Sequence, residues 1–250
     1  MNEDTFISHL MELRDRLLRA LIAVAVVFLC LFPFASDLYD LVAHPMIQAL
    51  PPNTKMIATG VVTPFLIPVK VALMAAFAIA LPYVLYQAWA FVAPGLYAHE
   101  KRLVVPLVVA STVLFFVGVA FCYFFVFGVV FSFVYRIAPA SVSVSPDIEN
   151  YLNFVLTMFL AFGATFEVPI AVLILVRMGV VTIGQLVDVR PYFIVGSFVV
   201  AAVITPPDVL SQLLLAVPMC VLYEVGIVAA RLFGKAAPRG DEEQEPGTGG

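Results

Sequence analysis

Charge is what this sequence has least of. Only 12% of its 250 residues are Asp, Glu, Lys or Arg, about half the share of an ordinary soluble domain. Apolar residues make up 63%, and the mean hydropathy is +1.06. So little charge cannot cover a soluble globule of this size, which excludes a cytosolic enzyme. No basic stripe runs along any segment, so nucleic acid is not an expected partner. The formal net charge of −4 rests on Asp241, Glu242, Glu243 and Glu245 near the end of the chain; without those four acids the balance is zero. Cysteine is scarce too. Cys30, Cys122 and Cys220 lie far apart inside apolar runs, an odd number at no metal-ligand spacing, and read as small buried hydrophobes.

Several enzyme signatures are missing as well. There is no G-x-x-x-x-G-K-[ST] loop to cradle a nucleotide's phosphates. His99-Glu100-Lys101-Arg102-Leu103 begins like a zinc-protease helix but lacks the second histidine, so no two imidazoles share a helix face. No G-x-S-x-G elbow is present. An intramembrane protease needs a nucleophilic or water-activating set at membrane depth, and only Glu167 lies there. His9, His44 and His99 have no ligand partners at useful spacing. The chain is therefore expected to be no enzyme and to hold no cofactor or metal.

What is present is a series of long apolar runs. At about 1.5 Å rise per residue, about 20 apolar residues cross the hydrocarbon core. Residues 20–36 are uncharged after Arg19, 71–99 carry no charge, 103–135 are uncharged throughout, and 150–176 contain only Glu167. Two shorter runs, 191–207 and 209–223, are separated by Asp208 in the turn Thr205-Pro206-Pro207-Asp208. The pattern predicts an all-α polytopic membrane protein of six transmembrane helices, the last two short enough to be read alternatively as a re-entrant hairpin. Either choice returns the chain to the same side. With the N-terminus inside, ten of the 13 Lys and Arg fall on the inner face and only Lys55, Lys70 and Arg136 on the outer, a marked positive-inside asymmetry. Both ends are expected inside.

The domain expectation is one membrane-embedded unit over 1–235 and a disordered acidic tail over 236–250, which has no aliphatic residue larger than Ala. No cleavable secretory signal is expected, because Glu3, Asp4, Glu12 and Asp15 interrupt the first 16 residues. Phe6, Leu10, Leu13 and Leu17 fall on one helical face, so 5–17 reads as an amphipathic helix lying along the inner headgroups before the chain turns into its first span. The outer loops, 37–69 and 136–149, are proline-rich and expected to form small caps. No internal repeat is evident.

Glu167 lies about ten residues from Arg177, roughly 15 Å inside. A charge at that depth costs several kcal/mol. It is either a neutral acid bonded within the bundle beside the Pro169 kink, or a polar lining for something that enters laterally. Glu12 and Glu100 both fall on the inner face. They can each grip a guanidinium through paired bonds, or Glu12 pairs with Arg16 at i+4 while Glu100 offsets Lys101 and Arg102. Spacing alone favours the second. Trp89, Phe91 and Tyr97 fit an inner aromatic belt. Glu224 is read as snorkelling to the headgroups near Arg231. The prolines at 82, 106, 169 and 218 would kink their helices into a concave bundle.

Five stretches together resemble one family: H-L-M-E-L-R-D-R-L (9–17), Y-Q-A-W-A-F-V-A-P-G-L-Y-A-H-E-K-R (86–102), F-E-V-P (166–169), R-P-Y (190–192) and T-P-P-D (205–208). They are similar, in order and spacing over about 5–235, to the TatC family of twin-arginine translocase proteins. The resemblance implies a glove-like bundle in the bacterial cytoplasmic (inner) membrane. It implies a core receptor that binds twin-arginine signal peptides of folded cargo at the cytoplasmic face and nucleates the translocase, driven by the proton-motive force. The matching recognition positions are Glu12 and Glu100, framed by Phe91, Pro94 and Tyr97; Glu167 matches the intramembrane acid. Pro45 and Asp208 match family positions in outer loops, and the last two helices, with Gln212, resemble the docking surface for the single-span partners TatA and TatB. A homo-oligomeric complex is implied. The competing readings are a proton-coupled small-solute transporter using Glu167 and a purely structural membrane scaffold.

Overall fold

Proline marks where many of these helices begin. Its ring fixes a helical φ and its missing N–H is no loss in the first turn. The computed structural model of the protein describes residues 3–49, 56–92, 104–137, 146–205 and 208–233. Among them α3 (Thr63–Val92) opens Thr63-Pro64, α7 (Val168–Arg177) opens Val168-Pro169, and α9 (Arg190–Ile204) opens Arg190-Pro191. Pro33 sits in a short 3₁₀ turn, Phe32–Phe34, that joins α1 (Glu3–Leu31) to α2 (Ala35–Ala49).

The chain then continues through α4 (Val104–Phe121), a π turn (Cys122–Val126), α5 (Phe127–Ile137), α6 (Ile148–Phe166), α7, the single-turn α8 (Ile183–Asp188), α9 and α10 (Val209–Phe233). Among the described residues five helical stretches are long and apolar enough to cross a membrane: Leu10–His44, Thr63–Phe91, Val105–Val134, Ile148–Arg177 and Val209–Phe233. α9 is the short apolar helix. The described residues contain no strand, only a single bridge between Ile57 and Asp147.

Three expectations need correction. α10 is 25 residues long, about 37 Å at helical rise, so only α9 of the last pair is short. Glu224 ended the apolar run in the sequence, but its charge is neutralised on α9 and the helix continues past it. α1 runs unbroken through residue 17, with no turn between an interfacial segment and a span. Its sequence holds neither Gly nor Pro and is rich in helix-favouring Leu and Arg. The segment 37–69, expected as a loop, is largely helical in its described residues, since α2 extends to Ala49 and α3 starts at Thr63.

Packing follows a plain order. α1 lies against α3, α3 against α2 and α4, α4 against α6, and α10 against α7 and α9. The main core joins α3, the π turn, α5 and α6 around Phe127, Phe131, Tyr151, Phe154 and Phe159. A smaller core of Val172, Val176, Leu186, Tyr223 and Ile227 joins α7, α8 and α10. Close approach depends on small residues. A Cβ at Gly118 would stand 2.6 Å from the Phe162 carbonyl oxygen, and one at Gly163 would strike the Phe115 ring. Outward, the helices show many exposed apolar side chains, such as Leu29, Phe124 and Val203. That surface suits lipid and not water.

Candidate functional site

The first site element is the end of α1. Arg16 donates to Glu12 Oε1 from both Nε (2.9 Å) and Nη2 (2.6 Å), the i,i+4 pairing that helix geometry favours. The second oxygen of Glu12 takes no bond from the described residues. Arg14 is occupied by Asp15 at 2.8 Å. Across from α1, α3 brings up Gln87 and Phe91, and the two helices enclose an apolar depression of about 280 Å³ lined also by Leu13, Arg16 and Leu17. Gln87 is only 6% exposed, and its carbonyl oxygen is buried without a hydrogen-bond partner among the described residues. Phe91 and Arg16 therefore line the same depression, and Glu12 reaches its edge only through its bond to Arg16. Pro94, Tyr97 and Glu100 lie outside the described residues, beyond the end of α3.

The second element is the break between α6 and α7. Pro169 cannot donate to the preceding turn, and Glu167 occupies the junction as C-cap of one helix and N-cap of the next. Both carboxylate oxygens are buried without a hydrogen-bond partner among the described residues, and so is the hydroxyl of Thr165. The polar side chain beside Glu167 is Ser111 of α4. Ser111 is fully buried and accepts from Trp89 Nε1 of α3 at 3.1 Å. Trp89, expected in an aromatic belt, thus anchors a polar seam that runs from α3 through α4 to Glu167. The sequence signal was the pair Ser111-Thr112 inside an otherwise apolar helix.

The third element is the α9–α10 hairpin. Asp208 caps α10 by accepting from Ser211 N at 2.7 Å, and Gln212 Nε2 donates to the Phe198 carbonyl of α9 at 3.1 Å. At the opposite end Arg190 binds Glu224 at 2.6 Å, Phe193 stacks on Tyr223 at 3.9 Å between centroids, and the Tyr223 hydroxyl donates to Leu186 O at 2.8 Å. Glu224 is therefore held by the neighbouring helix, which corrects its reading as a snorkelling acid near Arg231. Pro45 lies within α2, not in a loop.

The end of α6 opposite Arg177 is tied down by a different network. Asp147 caps α6 through Glu149 N and Asn150 N and also accepts from Thr59 N and Oγ1, the last at 2.7 Å. The Asn150 amide and the Thr59 hydroxyl hold its carboxyl below the usual carboxylate range. Glu149 joins Thr63 (3.0 Å) and Lys70 (3.4 Å). No group of His, Cys, Asp or Glu among the described residues is arranged to hold a metal ion.

Comparisons with known proteins agree on one family. The family model described as "Sec-independent protein translocase protein (TatC)" matches residues 8–218. The TatC protein of Escherichia coli K12 is 51% identical over 240 residues, covering 95% of this chain and 93% of that protein. The one from Haemophilus influenzae is 50% identical over 236 residues, covering 94% and 91%. A crystal structure described as "Twin Arginine Translocase Receptor- TatC" superposes with a TM-score of 0.80 at 38% identity, over 91% of this chain and all of that one.

Proposed function

The chain belongs to the TatC family of Sec-independent protein translocase proteins, and on that premise we propose that it is the receptor which grips twin-arginine signal peptides at the inner face and nucleates the translocase. As a family member it is a multi-pass membrane component of twin-arginine protein export and not an enzyme.

The observation that carries the reading is the state of Glu12. Its carboxylate already holds a guanidinium by two bonds to one oxygen, and its second oxygen takes no bond from the described residues. An incoming arginine offers the same chemistry, so binding is an exchange of one guanidinium for another and not the filling of an empty charge site. Glu100, following α3 in the sequence, supplies the second carboxylate for the second arginine, with Phe91, Pro94 and Tyr97 framing the pair. Lysine, a point charge without the planar fork, fits less well. The adjoining depression between α1 and α3 suits the apolar residues that follow the arginines.

Both chain ends lie on the cytoplasmic side of the bacterial inner membrane in this reading, and six helices form a concave bundle with Glu167 on its inner surface. Asp208 and Gln212 brace the α9–α10 hairpin, which presents the exposed face Val195, Val199 and Val203 to the single-span proteins TatA and TatB. The proton-motive force drives transport, and several copies assemble. The solute-transporter alternative built on Glu167 is not favoured, because family membership points to protein cargo.

The test is photocrosslinking of an Arg-Arg signal peptide that carries a photoreactive residue beside its arginines, with a Lys-Lys peptide as control. Glu12→Arg or Glu100→Arg is expected to reduce crosslinking more than tenfold while the protein still inserts. Undiminished crosslinking to Glu100→Arg overturns the proposal.

A further inference from the structure

Three arginines stand on α1 within two turns, and two of them are spoken for. Arg14 pairs with Asp15 and Arg16 with Glu12. Arg19 has no hydrogen-bond or ion-pair partner among the described residues; Asp15, one turn back, is taken by Arg14. Its side chain is exposed, and it sits where the uncharged run 20–36 begins. In the N-in orientation proposed above, that is the inner edge of the hydrocarbon. A guanidinium there, with no acid to meet it, needs a counter-ion from its surroundings.

The surroundings have the shape of a site. Arg19, Ile22 and Ala23 of α1 and Tyr83 of α3 line an open depression of about 260 Å³ on the lipid-facing side of the α1–α3 seam. It is separate from the depression that Gln87 and Phe91 border. Tyr83 is 42% exposed and supplies a phenolic donor. Ile22 and Ala23, one turn further along α1, continue the wall in apolar atoms. The depression thus offers a cation, a phenolic hydroxyl and apolar side chains in one lining.

We propose that this depression binds an anionic phospholipid of the inner leaflet, its phosphate held by Arg19 and the Tyr83 hydroxyl and one acyl chain lying along Ile22 and Ala23. Arginine matches phosphate through parallel N–H···O bonds, and basic pockets between spans on the cytoplasmic side select anionic headgroups. The preference for an anionic over a zwitterionic lipid follows from the lining. No carboxylate of the described residues lines the depression to receive a headgroup ammonium, so a zwitterionic lipid would bring a second, unmet cation beside Arg19. The proposal rests on the orientation of α1 but not on signal-peptide recognition.

The experiment is native mass spectrometry of the full chain in detergent micelles, titrated separately with phosphatidylglycerol and phosphatidylcholine. The first lipid is expected to bind at lower concentration as phosphatidylglycerol than as phosphatidylcholine. Arg19→Gln should weaken phosphatidylglycerol about fivefold, the factor of a single basic side chain at an anionic surface. Tyr83→Phe should weaken it by about half that factor, and Arg231→Gln, on α10 away from the depression, should leave it within about twofold of the parent. Equal binding of the two lipids by the parent, or undiminished phosphatidylglycerol binding by Arg19→Gln, overturns the proposal. Loss of Arg-Arg peptide crosslinking with lipid preference intact would count against the receptor reading alone.

Discussion

Glu12 and Glu167 meet the same physical demand in opposite ways. Glu12 lies on α1 with its side chain 37% exposed, and its charge is met within its own helix at 2.6 Å. Glu167 lies at the α6–α7 junction beside Ser111, and both of its oxygens are buried with no hydrogen-bond partner within 3.5 Å among the described residues. The first acid is satisfied where satisfaction is worth little. The second is unsatisfied where that costs about 1–3 kcal/mol. A partly exposed acid with a replaceable partner can change partners at little cost. A buried acid without one opposes folding, and its presence calls for a use outside the resting bundle.

The largest way to break this contrast is to open the walls around Glu167. α4 and α6 approach so closely that Gly163 faces the Phe115 ring with no room for a Cβ. Gly163→Leu should force these helices apart and destabilise the protein by about 3 kcal/mol, the upper part of the usual overpacking range. Thermal unfolding in detergent micelles measures it. A small change would mean the seam yields easily and the isolation of Glu167 is not fixed by packing.

The next test reverses the sign. Glu167→Leu removes two unpartnered oxygens while keeping similar bulk. It should stabilise the protein by about 1–3 kcal/mol and lower export of a twin-arginine cargo in the same variant. Higher stability with unchanged export would make Glu167 a tolerated defect. Lower stability would show that the carboxyl has a partner in the bilayer.

These tests also show how far the sequence could be read. The apolar runs located α1, α3, α4–α5 and α6–α7, because length and absence of charge are all that a span requires. They misjudged α10, since Glu224 looked like an end until Arg190 of another helix was seen to neutralise it. Partners at i+4 are visible along a chain; partners 34 residues apart are not. For the same reason the Glu12–Arg16 pair was legible, whereas the seam from Trp89 to Ser111 and Glu167 depends on three helices meeting. Phe91 was chosen by resemblance, and its place across the groove from α1 is a property of the fold.

The smallest expected effect separates the two roles that remain for Arg16. Arg16→Gln removes a part-buried i+4 pair and should change stability by about 1 kcal/mol. Its effect on peptide binding depends on what Arg16 does. As an internal competitor for the Glu12 carboxylate, its loss leaves that carboxylate free, and an Arg-Arg peptide should bind about two- to fivefold more tightly, equivalent to about 0.5–1 kcal/mol. As the residue that orients Glu12, its loss should weaken the peptide instead. Fluorescence titration of a labelled signal peptide reads the sign directly. Tighter binding supports the exchange mechanism, because only a competitor improves the site by leaving it. Weaker binding would make the Glu12–Arg16 pair one preformed unit, and the contrast with Glu167 would then lie in burial alone.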